Sequence, residues 1–343
     1  MITKMIVTAP LHDQSNHDGP RLINLNRDVP QVMKLLELVF GGTLDAEGQR
    51  LLSDSTRASQ GPAFLWRLNP AASKLALGFV WEVNGRIVGN VTLLITKTEG
   101  RYQVVNVAVH PDFRRRGIAR GLMQQVTDMV RQRNGREILL QVDKNNYSAI
   151  ALYQSLGYEG LGSMTNWQTA VSRLRAIPPT LKPVSGTEQS AKTAPTLRIR
   201  DLRRAEWAAA YALDRASLPA DLNWPELPPP DFYKTSWWGQ AVNYVSGRRA
   251  ESWVAATPQD ELVGLVHIFS EWGQPHIAQV RIHPAWRGQL ERPLTAKMVR
   301  RLQDMPRRNI RLEHPDEDIS MNDLLREANF TPRRTLTHMR LTL

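Results

Sequence analysis

The chain repeats itself. His110-Pro111 recurs as His283-Pro284, 173 residues on, and Tyr158 recurs as Phe330, 172 residues on. Between these landmarks Ile118, Leu122, Val126 and Val130 match Leu290, Leu294, Met298 and Leu302, again 172 apart. Both runs place apolar side chains on one face of a helix. A period of this length is a whole domain, so the 343 residues are read as two copies of one architecture. With 42% apolar residues, each copy can bury a core.

The element pattern supports this. In the first half Arg21–Leu25 reads as a strand and Val29–Phe40 as a helix. Gly78–Val83 and Arg86–Ile95 flank Asn84-Gly85, a hairpin signal. Tyr102–Val109 is a further strand, followed by the helix carrying Ile118, Leu122, Val126, Met129 and Val130. Arg136–Val142 is a strand and Ser148–Leu156 a short helix ended by Gly157. The second half runs in the same order. Leu197–Asp201 leads into a helix from Arg203, followed by strands Ser252–Ala256, Leu262–Phe269 and His276–Ile282. The Leu290–Leu302 helix, strand Ile310–His314 and helix Ile319–Ala328 complete it. The expected boundaries are a leader over 1–20, a domain over 21–176, a Pro-rich linker over 177–195 and a second domain over 196–343.

Chemistry concentrates between the two landmarks of the first half. The run Val104–Val126 gives a strand, a Pro-bounded turn, a basic loop with a glycine, and an amphipathic helix. A helix N-terminus presents unpaired N–H groups and a partial positive charge. Gly117 allows close backbone approach and Ala119 keeps the next inward position small. Arg114, Arg115 and Arg116 add charge for phosphate oxygens. Such a loop suits a pyrophosphate; its plainer reading is a basic turn before an ordinary helix. Downstream, Asn146 stands at a helix N-cap, and Tyr153, seven residues on, shares its helix face. Without a ligand, Asn146 would be only that cap and Tyr153 a core tyrosine.

Together the motifs Arg114-x-x-Gly117-x-Ala119 and Asn146-x-x-Ala149-x-x-Leu152-Tyr153, with Gly157-Tyr158, resemble the GNAT (Gcn5-related N-acetyltransferase) superfamily over about residues 21–172. The first half is most similar to its ribosomal-protein alanine N-acetyltransferase branch. The resemblance implies an α/β fold of mixed sheet, with two tandem GNAT-like domains, each a twisted, mostly antiparallel sheet flanked by helices. It also implies acetyl-CoA as co-substrate and an acyltransferase that acetylates a primary amine. Val107, Ala108 and Val109 would pair their backbone with the pantetheine arm. Arg114, Arg115, Arg116, Gly117, Ile118 and Ala119 would hold the pyrophosphate. Asn146 would contact the cofactor, and Tyr153 would protonate the departing thiolate as general acid. The alanine-acetylating branch carries a glutamate twelve residues before that tyrosine, where this chain has Gln141. Glutamine cannot act as a base. Asp143, two residues on and on the same strand face, is the candidate substitute, against its plainer reading as a solvated strand-end charge.

The second copy reads as the same fold stripped of its site. Four residues separate Phe113 from Ile118, but only three separate Trp286 from Leu290. Ala119 becomes Glu291, whose carboxylate would repel phosphate; Tyr153 becomes Leu325 and Asn146 becomes Asp318. This half is expected to be structural or to shape the acceptor cleft. Trp237, Trp238 and Trp272 are read as core tryptophans that could otherwise line a ligand site of its own.

Composition narrows the rest. With no cysteine, there is no disulfide, thiolate metal site or cysteine nucleophile. No metal is called for. No apolar run has the length of a signal peptide or membrane span, so a cytoplasmic protein is expected. The net charge of +11 suits anionic partners. The leading reading is an N-acetyltransferase whose partner is an amine, on a small molecule or a protein, rather than a nucleic acid. The other reading is a non-catalytic acyl-CoA-binding or RNA/ribosome-associated module.

Overall fold

The structure is a computed structural model that describes residues 18–25, 27–41, 77–180, 197–225, 228–230, 232–234 and 247–343. Most of the expected leader and linker, together with Trp237 and Trp238, lies outside the described residues. The chain forms two compact units, Met1–Leu140 with Thr342–Leu343, and Gln141–Leu341. Both are α/β, with mixed sheets and flanking helices.

In the first unit, β1 (Gly19–Leu22), β2 (Gly78–Val83), β3 (Arg86–Ile95) and β4 (Arg101–Val109) pair antiparallel in that order. The first residues of β5 (Glu137–Asp143) join β4 in parallel. Asn84 and Gly85 both take positive φ, 50° and 76°, as a tight hairpin between right-twisted strands requires. Helix α1 (Val29–Phe40) packs on β3 and β4, and α2 (Ile118–Gln132) on β2 and β3. Helix α2 buries Ile118, Leu122, Val126 and Val130 as its spacing predicts; Met123, rather than the half-buried Met129, fills out that face.

The second unit contains α3 (Tyr147–Ser155), β6 (Glu159–Ala170), β7 (Arg198–Asp201), α4 (Trp207–Ser217), β8 (Arg248–Ala256), β9 (Leu262–Glu271) and β10 (His276–Ile282). It continues with α5 (Glu291–Gln303), β11 (Asn309–Pro315), α6 (Ile319–Glu327) and β12 (Thr331–Thr342). Its strands lie in the order β12-β6-β11-β10-β9-β8-β7, with β10 and β11 parallel and the other pairs antiparallel. Leu290, Leu294, Met298 and Leu302 are each no more than 2% exposed, in the stripe read from the sequence.

The division of the units follows from one strand. β6 closes the first sequence repeat, yet it lies between β11 and β12, the last strands of the second. Its Trp167, with Val171, Leu174 and Ile177 after it, packs into the core that holds Leu294, Met298 and Leu302. β6 and β12 occupy the same place in the repeat, and Met164 pairs with its own counterpart, Leu336. Around that pair the contacts are reciprocal. Ser163 meets Thr337 and Thr165 meets Thr335 through hydroxyl groups 3.0 and 2.9 Å apart. Lys144 N–H donates to Thr335 O, and its counterpart Asp316 N–H donates to Ser163 O, each at 2.9 Å. The local arrangement is that of a two-fold strand exchange, in which a patch meets its own equivalent. Among the described residues, no helix is long and apolar enough to cross a membrane.

Candidate functional site

β4 and β5 pair only from Arg101↔Glu137 to Val104↔Leu140. Beyond that point β4 bulges, its register against β3 slipping between Asn90 and Thr92, and Asn106 takes a φ of 56°. Fully buried Asn90 braces the bulge by donating to Asn106 O at 2.9 Å. Ala108 and Val109 pair with Asn90 and Gly89 on one edge, while the β5 register stops short of Val107, Ala108 and Val109 on the other. An open strand edge of this kind can hydrogen-bond an extended ligand.

The loop after β4 is built on a short turn. His110 Nδ1 accepts from Asp112 N–H at 3.3 Å, and Pro111–Phe113 makes one 3-10 turn. Arg114, Arg115, Arg116 and Gly117 are then exposed. Arg115 and Gly117 adopt left-handed conformations with φ of 67° and 78°, and Gly117 is the N-cap of α2, with no side chain capping the helix. The N–H groups of the first turn thus have no side-chain cap among the described residues, and left-handed residues in a loop turn successive N–H groups toward a common point. Arg114 Nε donates to Val109 O at 3.3 Å, and the Arg116 guanidinium lies over the Phe113 ring at 4.9 Å. Buried Ile118 and half-buried Ala119 anchor the helix start.

Val107–Ala119 belong to the first unit; Gln141, Asp143, Asn146 and Tyr153 belong to the second. Asn146 caps α3, its Oδ1 accepting from Ala149 N–H at 3.2 Å and from the Ser148 hydroxyl at 3.1 Å. Tyr153 is 6% exposed, with its ring 5.9 Å from that of Tyr158. Burial pushes its phenol up to about 12, so it carries its proton at neutral pH, the form a proton donor needs. Asp143 Oδ1 accepts from Asn145 N–H at 3.0 Å, and its Oδ2 lies 3.6 Å from Arg334 Nε. That carboxylate shapes the turn into α3.

Gln141 meets a residue that the sequence did not flag. Its Nε2 lies 2.8 Å from Nε2 of His338 on β12. The amide donates and the ring nitrogen accepts, which fixes a neutral imidazole with its proton on Nδ1. Burial lowers His338 to about 4, against an opposing hydrogen bond from its ring N–H to the Asp221 backbone carbonyl, and Trp224 lies 4.5 Å from its ring. The repeat holds a second unflagged residue. At an offset of 172 from Gln141 stands Glu313, and Asn166, the counterpart of His338, points Nδ2 at Glu313 Oε1 from 3.5 Å. The offset already measured on the helices would have found Glu313. Nothing local would have found His338, 197 residues from its partner.

The second copy repeats the turn and then departs. His283 Nδ1 accepts from Ala285 N–H at 3.3 Å, and Pro284–Trp286 is again a 3-10 turn. β10 keeps an unbroken register with β9, without the bulge of β4. Gly288, with φ of 84°, donates its N–H to Glu291 Oε1 at 2.7 Å. Glu291 is 5% exposed. Beyond repelling phosphate, its carboxylate therefore takes a backbone donor of the loop for itself. Arg287, the counterpart of Arg114, donates to Ser217 O at 2.8 Å. Leu325, fully buried, fills the core at the position matching Tyr153. Trp272 corrects the expectation of a core tryptophan: it follows β9 in a turn and is 80% exposed.

Residues 46–158 match the model of the acetyltransferase (GNAT) family. The chain is 32% identical over 99 residues to the [ribosomal protein bS18]-alanine N-acetyltransferase of Escherichia coli K12, an alignment covering 28% of this chain and 66% of that one. It is 38% identical over 90 residues to an acetyltransferase of Pectobacterium atrosepticum, covering 26% and 62%. Each match thus spans somewhat less than two thirds of the relative's length. Among solved structures, a GCN5-related N-acetyltransferase from Sphaerobacter thermophilus superposes with a TM-score of 0.54 at 15% identity, covering 94% of this chain and 95% of that one. The likeness in fold therefore extends through both copies.

Proposed function

This chain belongs to the GNAT acetyltransferase family and carries its fold twice, and on that premise we propose that it transfers an acetyl group from acetyl-CoA to a primary amine through its first copy. The observation that carries the reading is the loop Arg114–Gly117: three exposed arginines, left-handed backbone at Arg115 and Gly117, and an uncapped helix start. That combination suits a pyrophosphate. The edge of Val107–Val109 takes the extended arm of the cofactor, and Asn146 contacts it at the start of α3. The neutral amine attacks the thioester carbonyl, forming the C–N bond. As the C–S bond breaks, Tyr153 gives its proton to the thiolate.

The amine must also lose a proton. Gln141 cannot take it; Asp143, half-buried and accepting from Asn145 N–H, is the candidate base, directly or through water. The E. coli relative is named for an alanine of a ribosomal protein. With Gln141 at that branch's glutamate position, we assign this chain a primary amine as acceptor class and not that particular alanine. The site belongs to a protein working in the cytoplasm.

The test is thiol release from acetyl-CoA by the full chain, with and without a panel of primary amines. Amine-dependent release is the expected result. Binding of acetyl-CoA without release on any amine would favour the non-catalytic acyl-CoA-binding reading.

A further inference from the structure

A cavity of about 520 Å3 lies in the second copy, bounded by the end of β10, the loop before α5, the end of β11 and the start of α6. These are the counterparts of the elements that carry the proposed cofactor contacts in the first copy. Several positions lining the cavity differ between the copies, and ionisable groups enter at some of them. Ala119 is matched by Glu291, Val142 by His314, and Asn146 by Asp318. Simple loss of a phosphate site would leave neutral or apolar replacements. Here Glu291, His314 and Asp318 are all ionisable, and two of them are joined: His314 Nε2 lies 2.8 Å from Asp318 Oδ2.

That bond fixes the ring. A carboxylate accepts, so the imidazole proton sits on Nε2, and Nδ1 keeps a bare lone pair. His314 is 8% exposed and its Nδ1 has no hydrogen-bond partner among the described residues. A buried acceptor without a donor is costly, and the missing partner is an N–H.

The charge balance points the same way. Of the two arginines lining the cavity, Arg281 is neutralised by buried Asp214 at 2.7 Å. Arg287 remains, facing Glu291, Glu317 and Asp318. The cleft is therefore net acidic, the reverse of Arg114–Arg116 in the first copy. Ile319, 71% exposed, and Leu222 supply apolar wall.

We propose that the cleft of the second copy is a binding site for a small organic cation, an ammonium group on an apolar body, held by Glu291, Asp318 and the free nitrogen of His314. The ammonium donates to His314 Nδ1 and is balanced by the carboxylates; the body lies against Ile319 and Leu222. The site does not depend on acetyl transfer by the first copy.

The experiment is calorimetric titration of the full chain with phenethylamine, with neutral N-acetylphenethylamine as control. Saturable 1:1 binding of the amine, at least tenfold tighter than the control, is the expected result. Glu291→Gln keeps an oxygen for Gly288 N–H while removing the charge, and Ile319→Arg places a cation at an exposed position of the wall. Each should weaken amine binding at least tenfold with an unchanged thermal melt. Tyr147→Arg, at the position matching Ile319 in the first copy, should leave it unaltered. Four results would each overturn the proposal: no amine binding at millimolar concentration, equal binding of the neutral control, no effect of Glu291→Gln, or loss of binding in Tyr147→Arg but not in Ile319→Arg.

Discussion

The first and second copies share their strand order, their His-Pro turn and their helix stripe, and they diverge where an anion would sit. In the first, the chain is bulged at Asn106, left-handed at Arg115 and Gly117, and ends on an uncapped helix. In the second, β10 is regular, the loop is one residue shorter, and Glu291 takes the Gly288 N–H. The helix core is indifferent to this: Ile118, Leu122, Val126 and Val130 are as buried as Leu290, Leu294, Met298 and Leu302. A fold of this kind is set by its apolar stripes, and ligand chemistry by a few loop positions that the stripes do not constrain. The copies also divide the polar groups of the proposed transfer site. The first keeps Tyr153 and has Gln141, while the second has Leu325 and keeps a carboxylate at Glu313.

The most damaging way to test whether the copies are separable is to cut between them. A chain ending at residue 176 strands β6, which pairs with β11 and β12, and it leaves Trp167 without the core it fills. Such a fragment should associate or fail to melt cooperatively, as light scattering and calorimetry would show. In the full chain, Trp167→Ala should cost about 3–5 kcal/mol of stability. A monomeric fragment that melts like the full chain would mean that β6 has another place to go.

The next effect is catalytic and asymmetric. Tyr153→Phe removes one hydroxyl from a buried ring and should lower kcat by roughly 10²–10⁴-fold with little change in acetyl-CoA affinity. Leu325→Tyr, at the same place in the second copy, should not restore turnover to that variant. Steady-state kinetics at saturating acetyl-CoA reads both, and near-normal turnover in Tyr153→Phe would leave the ring a packing residue only.

These contrasts also mark what the sequence can and cannot disclose. The hairpin at Asn84-Gly85, the helix stripes, the Asn146 cap and the short loop before α5 are local, because each depends on residues a few positions apart. The partner of β6 is not local. An alternating strand satisfies the edge of its own copy or that of the other equally well, so its pattern says nothing about which sheet it joins. The Gln141–His338 contact follows from that choice and was invisible for the same reason. The Glu291 contact was half legible: the charge could be read from the sequence, but its capping of Gly288 depends on the turn of the loop.

Cofactor affinity should separate the copies by a smaller margin. Gly117→Glu puts a side chain on a left-handed residue and a negative charge beside the proposed pyrophosphate, although among the described residues nothing beyond its chain neighbours lies within 4 Å of the added Cβ. It should weaken acetyl-CoA binding at least about tenfold, or ~1.4 kcal/mol. Gln289→Glu, the exposed counterpart in the second loop, should change nothing, and titration should give one cofactor per chain. A stoichiometry of two would show that the second loop still holds phosphate.

The smallest effect lies where the repeats touch themselves. Lys144 and Asp316 are counterparts, 172 residues apart, and they meet as an ion pair with Nζ and Oδ2 at 2.5 Å. In a symmetric pairing of identical strands a lysine would face a lysine; here the two positions have become complementary. Asp316 also accepts from the Thr165 hydroxyl at 2.8 Å. The side chains are 50% and 28% exposed, so the coupling should be no more than about 0.2–1 kcal/mol. A double-mutant cycle of Lys144→Met and Asp316→Asn, the latter keeping an oxygen for Thr165, isolates it. The hydrogen bond from Lys144 holds the Asp316 carboxyl below its usual range, and the bond to Asp316 holds the Lys144 ammonium above its own. The lowered carboxylate stabilises the fold above the unfolded value of about 3.9, and this is lost as pH falls through the lower folded value. The raised ammonium stabilises below about 10.4, and this is lost as pH rises through the higher folded value. The coupling should therefore be flat from about pH 5 to 9, vanish in acid and in strong base, and shrink in 1 M salt. A coupling of zero at pH 7 and low salt would leave Lys144 and Asp316 neighbours by register alone, with the exchange held by the β6–β12 ladder and Trp167.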